Sequence, residues 1–191
     1  IKHPDYFHKV VDCQWACPAH TPVPEYIRLI AAGRYDDAYM VNWKSNVFPG
    51  ILGRTCDRPC EPACRRGRVE EENQPKPEPV AICRLKRVAA DLKSDDVQAR
   101  MPKKAAKKNG KRIACVGAGP ASLTVARDLA PLGYSVTVFD RDPRAGGMIW
   151  SQIPRFRLPL EVIDEEVGYI MDLGVEFKGG TEITSMKKLM G

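Results

Sequence analysis

Cysteines at regular intervals constrain the fold of the first half of this chain more than any other feature. The segment CDRPCEPACRRG, residues 56–67, carries three of them at intervals of four residues. That spacing would put three thiols on one side of a helix, but Pro59 and Pro62 interrupt the segment, and proline in a helix interior removes a hydrogen bond and clashes with the preceding turn. The segment is therefore expected to be a loop rather than a continuous helix.

Six of the seven cysteines lie before residue 84, and they are the candidate metal ligands: Cys13, Cys17, Cys56, Cys60, Cys64 and Cys83. A disulfide framework is the weaker interpretation, because the count is odd and the chain is long and lacks a secretory signal. Zinc ribbons use C-x2-C pairs, whereas a 4Fe-4S cluster takes four thiolates from short loops, and the Cys17-Pro18 pair is typical of the end of a ferredoxin cysteine run. The spacing favours an iron–sulfur cluster and leaves a zinc site and plain structural thiols as alternatives.

The second half of the chain has a different pattern. KRIACVGAG predicts a short strand that ends in glycines, PASLTVARDLAPLG predicts a helix, and YSVTVFD predicts a second strand. This order is the beginning of a β-α-β unit. Cys115, in the first of these strands, is expected to be a small buried residue rather than a ligand.

A dinucleotide site is predicted where the first strand meets the helix. Gly117, Gly119 and Ser122 have the spacing G-x-G-x-x-small, and Asp140 ends the next strand 23 positions after Gly117. The glycines would let the backbone approach a pyrophosphate at the N-terminus of the helix. Asp140 would accept hydrogen bonds from ribose hydroxyls, which favours FAD or NAD over NADP.

Helical spacing of apolar residues organises the first half. It predicts a helix with Thr21 as its cap and Gly33 as its stop, a second helix around residues 35–44, and a third within VAICRLKRVAADL. Near the end of the chain, GVEF predicts a further strand. We expect an α-helical iron–sulfur domain over residues 1–92, a basic linker over 93–110, and the incomplete beginning of an α/β Rossmann-like FAD-binding domain over 111–191.

Charge and hydropathy limit the functional classes. The formal net charge is +6, and much of the excess lies in MPKKAAKKNGKR, where lysines without interleaved aromatic residues indicate a linker or a docking surface rather than a nucleic-acid site. No apolar run is long enough to span a membrane, and no signal peptide is evident, so a cytoplasmic protein is expected. Because the chain begins at Ile1, we expect that this is not the native first residue.

Five segments give the chain a close resemblance to a known family: CQWACPAHTPVPEYI, GRTCDRPCEPACRRG, PVAICRLKRVAAD, VGAGPASL and AGGMIWSQIPRFRLP. In this order they resemble the N-terminal part of the glutamate synthase small-subunit family of FAD and iron–sulfur oxidoreductases, which includes the corresponding region of dihydropyrimidine dehydrogenase. The resemblance covers essentially the whole chain. It implies a 4Fe-4S cluster in the first half, FAD at the glycine motif, and NAD(P)H at a domain that this chain does not contain.

The same resemblance implies the residues of the flavin site. It extends the glycine motif to the AGGM and FRLP segments, which should lie along the flavin. The implied cofactor-binding residues are Gly117, Gly119, Pro120, Ala121, Ser122, Asp140, Arg141, Gly146, Gly147, Met148 and Arg157.

The chain departs from the family at the first cluster. The family places a C-x2-C pair upstream of Cys13, but the corresponding positions here are Asp5 and His8. We therefore expect one 4Fe-4S cluster and a second that is altered or absent. The preferred ligands of the first are Cys17, Cys56, Cys60 and Cys83, which leaves Cys13 and Cys64 to bind a second cluster, with His8 as a further candidate ligand, or to remain free.

The resemblance implies an electron-transfer flavoprotein subunit. It would pass electrons between NAD(P)H, FAD and 4Fe-4S clusters to or from a catalytic or electron-accepting oxidoreductase subunit in a hetero-oligomeric complex. We expect no general acid or nucleophile among these residues. The alternative from another class is a zinc-stabilised, non-catalytic module that binds a nucleotide, and the metal content separates the two.

Overall fold

A computed structural model describes residues 11–69 and 77–190. The chain divides into two compact units between Ala99 and Arg100, and each is described by itself. His8, the candidate ligand of a second cluster, lies outside the described residues. Within the described residues, every helix is too short or too polar to cross a lipid bilayer.

The first unit is built from short helices. Its helices are α1 (Asp12–Ala16), α2 (Val23–Ala31), α3 (Tyr35–Asn46), α4 (Pro49–Thr55) and α5 (Ile82–Asp91), with 3-10 turns at Arg65–Arg68 and Asp95–Arg100. The helices predicted around residues 21–33, 35–44 and 80–92 are confirmed as α2, α3 and α5. Gly33 ends the first of them in the left-handed region, at φ +71°, which a residue without a side chain adopts at little cost.

The prediction that Thr21 caps α2 is wrong. Pro22 is the N-cap residue of α2, and no side chain caps that helix. Thr21 is almost completely buried, at 1% exposure, and its hydroxyl instead joins a group of polar side chains beside Cys17. The sequence showed a hydroxyl residue before a helix but not where that hydroxyl points.

The helices of this unit pack around a core that includes cysteines. Tyr26 of α2 and Ala38 of α3 are completely buried in it, as is Ala89 of α5, and Cys60 and Cys64 lie in the same cluster. α4 and α5 approach closely, because a Cβ atom on Gly53 would lie 2.8 Å from the backbone of Arg87. An ion pair between Arg54 and Asp91, 2.7 Å long, joins the same two helices.

The second unit is an α/β arrangement. Its elements are β1 (Arg112–Val116), α6 (Pro120–Leu129), β2 (Ser135–Phe139), α7 (Met148–Ser151), α8 (Leu160–Met171), β3 (Glu176–Lys178) and α9 (Met186–Met190), with a 3-10 turn at Ala130–Leu132. The strands are parallel in the order β1-β2-β3, and Cys115 pairs with Val138. The predicted beginning of a β-α-β unit and the strand near GVEF are both observed.

The basic stretch before β1 makes contacts with the rest of the second unit. Asn109 donates its backbone N–H to the carbonyl of Gly133 at 2.9 Å, and Lys108 donates to the carbonyl of Tyr134 at 3.2 Å. The side chain of Lys104 lies against Gly174, where a Cβ atom would come within 2.7 Å of it. At least part of the predicted linker therefore packs along the second unit, because its lysines and backbone find partners there.

Gly53 tests the close approach of α4 and α5. We expect Gly53→Ala to lower the stability of the protein by about 1–3 kcal/mol, since the added methyl group would meet backbone atoms of Arg87 that cannot turn away. Gly67→Ala is the matched control, because its nearest neighbour, at 3.4 Å, permits an ordinary contact. Thermal unfolding followed by circular dichroism measures both, and equal melting temperatures for the two variants would contradict the prediction.

Candidate functional site

The cysteine segment is a series of turns. Cys56 ends α4, and the next residues turn sharply at Arg58, whose φ of +60° is uncommon for a residue with a side chain. The backbone N–H of Arg58 donates to the Cys56 sulfur at 3.3 Å, and those of Glu61 and Cys64 donate to carbonyls three residues earlier. The prediction of a loop in place of a continuous helix is confirmed.

Thiols from two separated segments lie near one another. Cys83, at the start of α5, is close enough to Cys56 and Cys60 for these two thiols to be the main influences on its pKa. Two contacts hold Cys83 in place: its backbone N–H donates to Oε1 of Glu61 at 3.1 Å, and the hydroxyl of Tyr26 donates to the carbonyl of Ile82 at 3.0 Å. The start of α5 is thereby fastened to the cysteine loop on one side and to α2 on the other.

The electrostatics favour negative charge on two of these thiols, Cys56 and Cys60. Hydrogen bonding with Cys83 lowers the pKa of Cys56 to about 6 and also lowers the pKa of Cys60. The same two neighbours, together with burial, raise the pKa of Cys83. Lys86 lies one helical turn after Cys83 and is only 5% exposed, and its positive charge also lowers the pKa of Cys56 and Cys60. Thiolates are the form in which cysteine binds a metal.

Cys13 packs against the buried cluster that contains both Cys60 and Cys64. Burial raises the pKa of Cys13, and the charge of Cys64 is the next cause, ahead of that of Cys60. An ion pair of 2.9 Å between Asp12 and Arg65 links α1 to the end of the cysteine segment. The assignment of Cys13 and Cys64 to a second cluster stays a prediction.

Cys17 lies at the end of α1, beside a different set of neighbours. Its sulfur is 3.5 Å from the hydroxyl oxygen of Thr21. Tyr26 is near several thiols at once: its pKa is raised first by burial and then by the charges of Cys60 and Cys83, followed by those of Cys13 and Cys17. Thiols from α1, from the cysteine loop and from α5 therefore surround one buried phenol.

The donor set suits a cluster better than a single ion. Among the described residues, no three His, Cys, Asp or Glu side chains converge closely enough to hold one metal ion. A tetrahedral zinc site needs four ligands around one point. A 4Fe-4S cluster instead takes its thiolates at separate irons, so its ligands are spread around the cluster. The assignment of Cys17, Cys56, Cys60 and Cys83 to one such cluster stays a prediction.

The glycine motif forms the expected turn between β1 and α6. Gly117 has φ +90°, and its N–H donates to the carbonyl of Phe139 at 2.7 Å. Gly119 is the N-cap of α6 and Pro120 is its first residue, where proline is favoured because that N–H has no partner within the helix. The N-terminus of this ten-residue helix lies at the carboxyl ends of the strands, where dinucleotides bind in such sheets.

An open cavity of about 440 Å³ lies at this edge of the sheet. Six of the predicted residues line it: Gly117, Gly119, Asp140, Arg141, Gly147 and Met148. The other predicted residues are not among the described residues that line it: Pro120, Ala121, Ser122, Gly146 and Arg157. Sequence reasoning missed Ser151, Gln152 and the residues 181–183 after β3. Residues 181–183 could have been predicted from their position after the carboxyl end of a parallel strand.

The AGGM segment packs directly on the glycine loop. The N–H of Gly146 donates to the carbonyl of Ala118 at 2.8 Å. A Cβ atom on Gly147 would lie 2.9 Å from the Cα atom of Gly119, and Gly147 has φ +56°. These glycines are needed so that two stretches of backbone can touch, which shapes one wall of the cavity.

Asp140 has a structural task in addition to the predicted one. Its carboxylate accepts hydrogen bonds from the backbone N–H of Ala118 at 2.5 Å and from that of Asp142 at 2.9 Å. The side chain thus fixes the glycine loop to the end of β2. It also lines the cavity, so its predicted contact with a ribose stays a prediction.

Comparisons with known families match both units. Residues 8–98 match the family described as dihydropyrimidine dehydrogenase domain II, 4Fe-4S cluster. Residues 115–172 match the family described as NAD(P)-binding Rossmann-like domain. The predicted order, a helical iron–sulfur domain followed by the start of a Rossmann-like domain, is confirmed.

Curated relatives resemble the chain along most of its length. The NADP(+)-dependent formate dehydrogenase subunit beta of Moorella thermoacetica is 37% identical over 90% of this chain, the glutamate synthase [NADPH] small chain of Escherichia coli is 34% identical over 90%, and the NADPH-Fe(3+) oxidoreductase subunit beta of Geobacter sulfurreducens is 34% identical over 96%. The chain spans only 26%, 35% and 27% of these relatives, respectively.

Gly147 tests the contact between the two glycine segments. We expect Gly147→Ala to weaken dinucleotide binding about tenfold or more, because strain of about 1–3 kcal/mol at a positive φ adds to the clash with Gly119. Gly168→Ala is the control, since no atom lies within 4 Å of its added Cβ. The dinucleotide retained by each purified protein is measured by chromatography after denaturation, and equal retention in both would contradict the prediction.

Proposed function

We propose that this chain is the N-terminal part of an electron-transfer subunit, because it belongs to the glutamate synthase small-subunit-like family of NAD(P)H-dependent iron–sulfur oxidoreductases. Electrons would pass between NAD(P)H, FAD and 4Fe-4S clusters to or from a partner oxidoreductase subunit. The proximity of Cys83 to Cys56 and Cys60, within the unit that matches a 4Fe-4S family, is the observation that carries this proposal.

The first cluster would be held by Cys17, Cys56, Cys60 and Cys83. Cys83 lies near Cys56 and Cys60, and the charges of Cys17, Cys60 and Cys83 all act on the buried phenol of Tyr26. When bound, such a cluster takes up and releases single electrons, whereas a flavin exchanges electrons either in pairs or singly. The buried Lys86 would hold positive charge close to the thiolates of Cys56 and Cys60.

A second cluster would draw on Cys13 and Cys64. Their proximity supports a common ligand role, and the Asp12–Arg65 ion pair holds their segments together. The positions that would complete the set carry Asp5 and His8 in this chain. We therefore propose that the second cluster is altered or absent, and iron content per chain distinguishes these cases.

FAD is the proposed occupant of the cavity at the glycine loop. The turn at Gly117, the exposed start of α6 and the wall formed by Gly147 suit a pyrophosphate that approaches backbone closely. The Rossmann-like match supports a dinucleotide of either kind, and the resemblance of the VGAGPASL and AGGM segments favours the flavin. NAD(P)H would bind a later domain of the complete protein.

The partner is proposed to be a catalytic or electron-accepting subunit. Curated relatives are named as a subunit beta of formate dehydrogenase, a small chain of glutamate synthase and a subunit beta of an NADPH-Fe(3+) oxidoreductase, so related chains work within larger complexes. We further propose a cytoplasmic location. All seven cysteines are free, which suits a reducing compartment.

Cys60 tests the cluster. We expect Cys60→Ser in the intact protein to lose iron, acid-labile sulfide and cluster absorbance, because a hydroxyl is a poor ligand for iron in place of a thiolate. Bound flavin should be kept, since the glycine-loop cavity lies in the other compact unit. Cys115→Ala is the matched control, as this buried thiol lies in β1. Full iron content in Cys60→Ser, or stoichiometric zinc in the parent protein, would sink the proposal.

The identity of the bound dinucleotide is tested separately. We expect the purified intact protein to release about one FAD per chain on denaturation, with the visible absorbance of an oxidised flavin before release. NAD(P) in place of FAD at this cavity would overturn the flavin assignment and leave the cluster assignment standing.

A further inference from the structure

The turn between Cys17 and Thr21 brings a hydroxyl back over a cysteine sulfur. The N–H of His20 donates to the carbonyl of Cys17 at 2.9 Å, and the side-chain amide of Gln14 donates to the carbonyl of His20 at 3.1 Å. His20 itself has φ +47°, an uncommon value for a residue with a side chain. A strained turn with its own buried support therefore sets the position of Thr21.

One neighbour of the Thr21 hydroxyl has a fixed hydrogen-bonding direction. Asn42 donates its side-chain N–H to the carbonyl of Ala38 at 2.9 Å, so its oxygen faces Asn46. Asn46 must then present its amide nitrogen to that oxygen, at 3.4 Å, and the same nitrogen lies 3.2 Å from the Thr21 oxygen. Asn46 therefore donates to the Thr21 oxygen, and the Thr21 hydroxyl cannot donate its own proton to that Asn46 nitrogen.

The remaining partners of Thr21 are Ser45 and Cys17. The Ser45 oxygen lies 3.2 Å from the Thr21 oxygen and 3.1 Å from the carbonyl of Asn42. The Thr21 proton thus points either to Ser45 or to the Cys17 sulfur, which is 3.5 Å away. A sulfur that carries a proton donates to Thr21, whereas a cluster-bound sulfur has no proton and bears negative charge, and an ionised acceptor attracts the proton more strongly.

We propose that Thr21 donates a hydrogen bond to the sulfur of Cys17 when Cys17 is a cluster ligand, and that this bond raises the reduction potential of that cluster. The inference rests on the proposed function. Hydrogen bonds to sulfur are among the factors that set the potential of an iron–sulfur cluster, since a donor stabilises the more negative, reduced state. Thr21 is 1% exposed, so its hydroxyl is shielded from solvent. Thr21 acts through Cys17 and is a positioning residue.

The test is a redox titration of the intact protein, reduced stepwise with dithionite and followed by electron paramagnetic resonance. We expect Thr21→Val, which keeps the shape and removes the hydroxyl, to shift the midpoint potential of one cluster to a more negative value. Thr21→Ser keeps the donor and should restore the parent potential. Ser45→Ala removes the competing acceptor and should leave the potential at the parent value.

The outcomes separate this inference from the proposed function. An unchanged potential in Thr21→Val with full iron content would overturn the role of Thr21 and leave the cluster in place. An equal shift in Thr21→Ser would assign the effect to packing and would also overturn it. A parent protein without iron would overturn the proposed function itself. If Thr21→Val does not assemble the cluster, Thr21→Ala provides the same comparison with a smaller side chain.

Discussion

The attachment of the start of α5 to the cysteine loop is the constraint on which the helical unit depends. The backbone N–H of Cys83 donates to Glu61, and the Cys83 thiol lies near Cys56 and Cys60, so the first turn of α5 packs against a loop that comes earlier in the chain. The contact of Tyr26 with the carbonyl of Ile82 and the missing side chain at Gly53 both serve this placement, because they let α2 and α4 pack closely against α5. The helices are short, so their positions follow from these tertiary contacts more than from helix propensity.

The two candidate sites use different chemistry. The cysteine site is made of soft side chains drawn from several segments, and its polar neighbours adjust the charge on sulfur. The glycine-loop site is made largely of backbone: Gly117 and Gly119 approach the cavity, Gly147 touches Gly119, and Asp140 secures the loop from below. The cysteine site depends on which side chains lie close together. The glycine-loop site depends on positions without a side chain, where backbone can approach closely.

Buried polar groups are concentrated beside the cysteines. Thr21, Asn42 and Asn46 are each almost fully buried, and they form one connected group that reaches the Cys17 sulfur. Lys86 is likewise buried, on the side of the other three thiols. Burying such groups costs free energy unless they are paired. For Lys86 the structure gives a physical reason for that cost, since its charge lowers the pKa of Cys56 and Cys60.

The sequence alone determined the features that local patterns encode. The G-x-G turn, the strands beside it, the helices around Tyr26 and Ala38, and the irregular path of the cysteine segment follow from residue spacing, glycine freedom and proline geometry within one stretch of chain. Tertiary structure decided the rest: that Cys83 lies near Cys56 and Cys60, that Thr21 turns toward Cys17 instead of capping α2, and that Gly147 contacts Gly119. Each of these depends on residues distant in sequence or on the direction of a side chain, and periodicity carries no information about either.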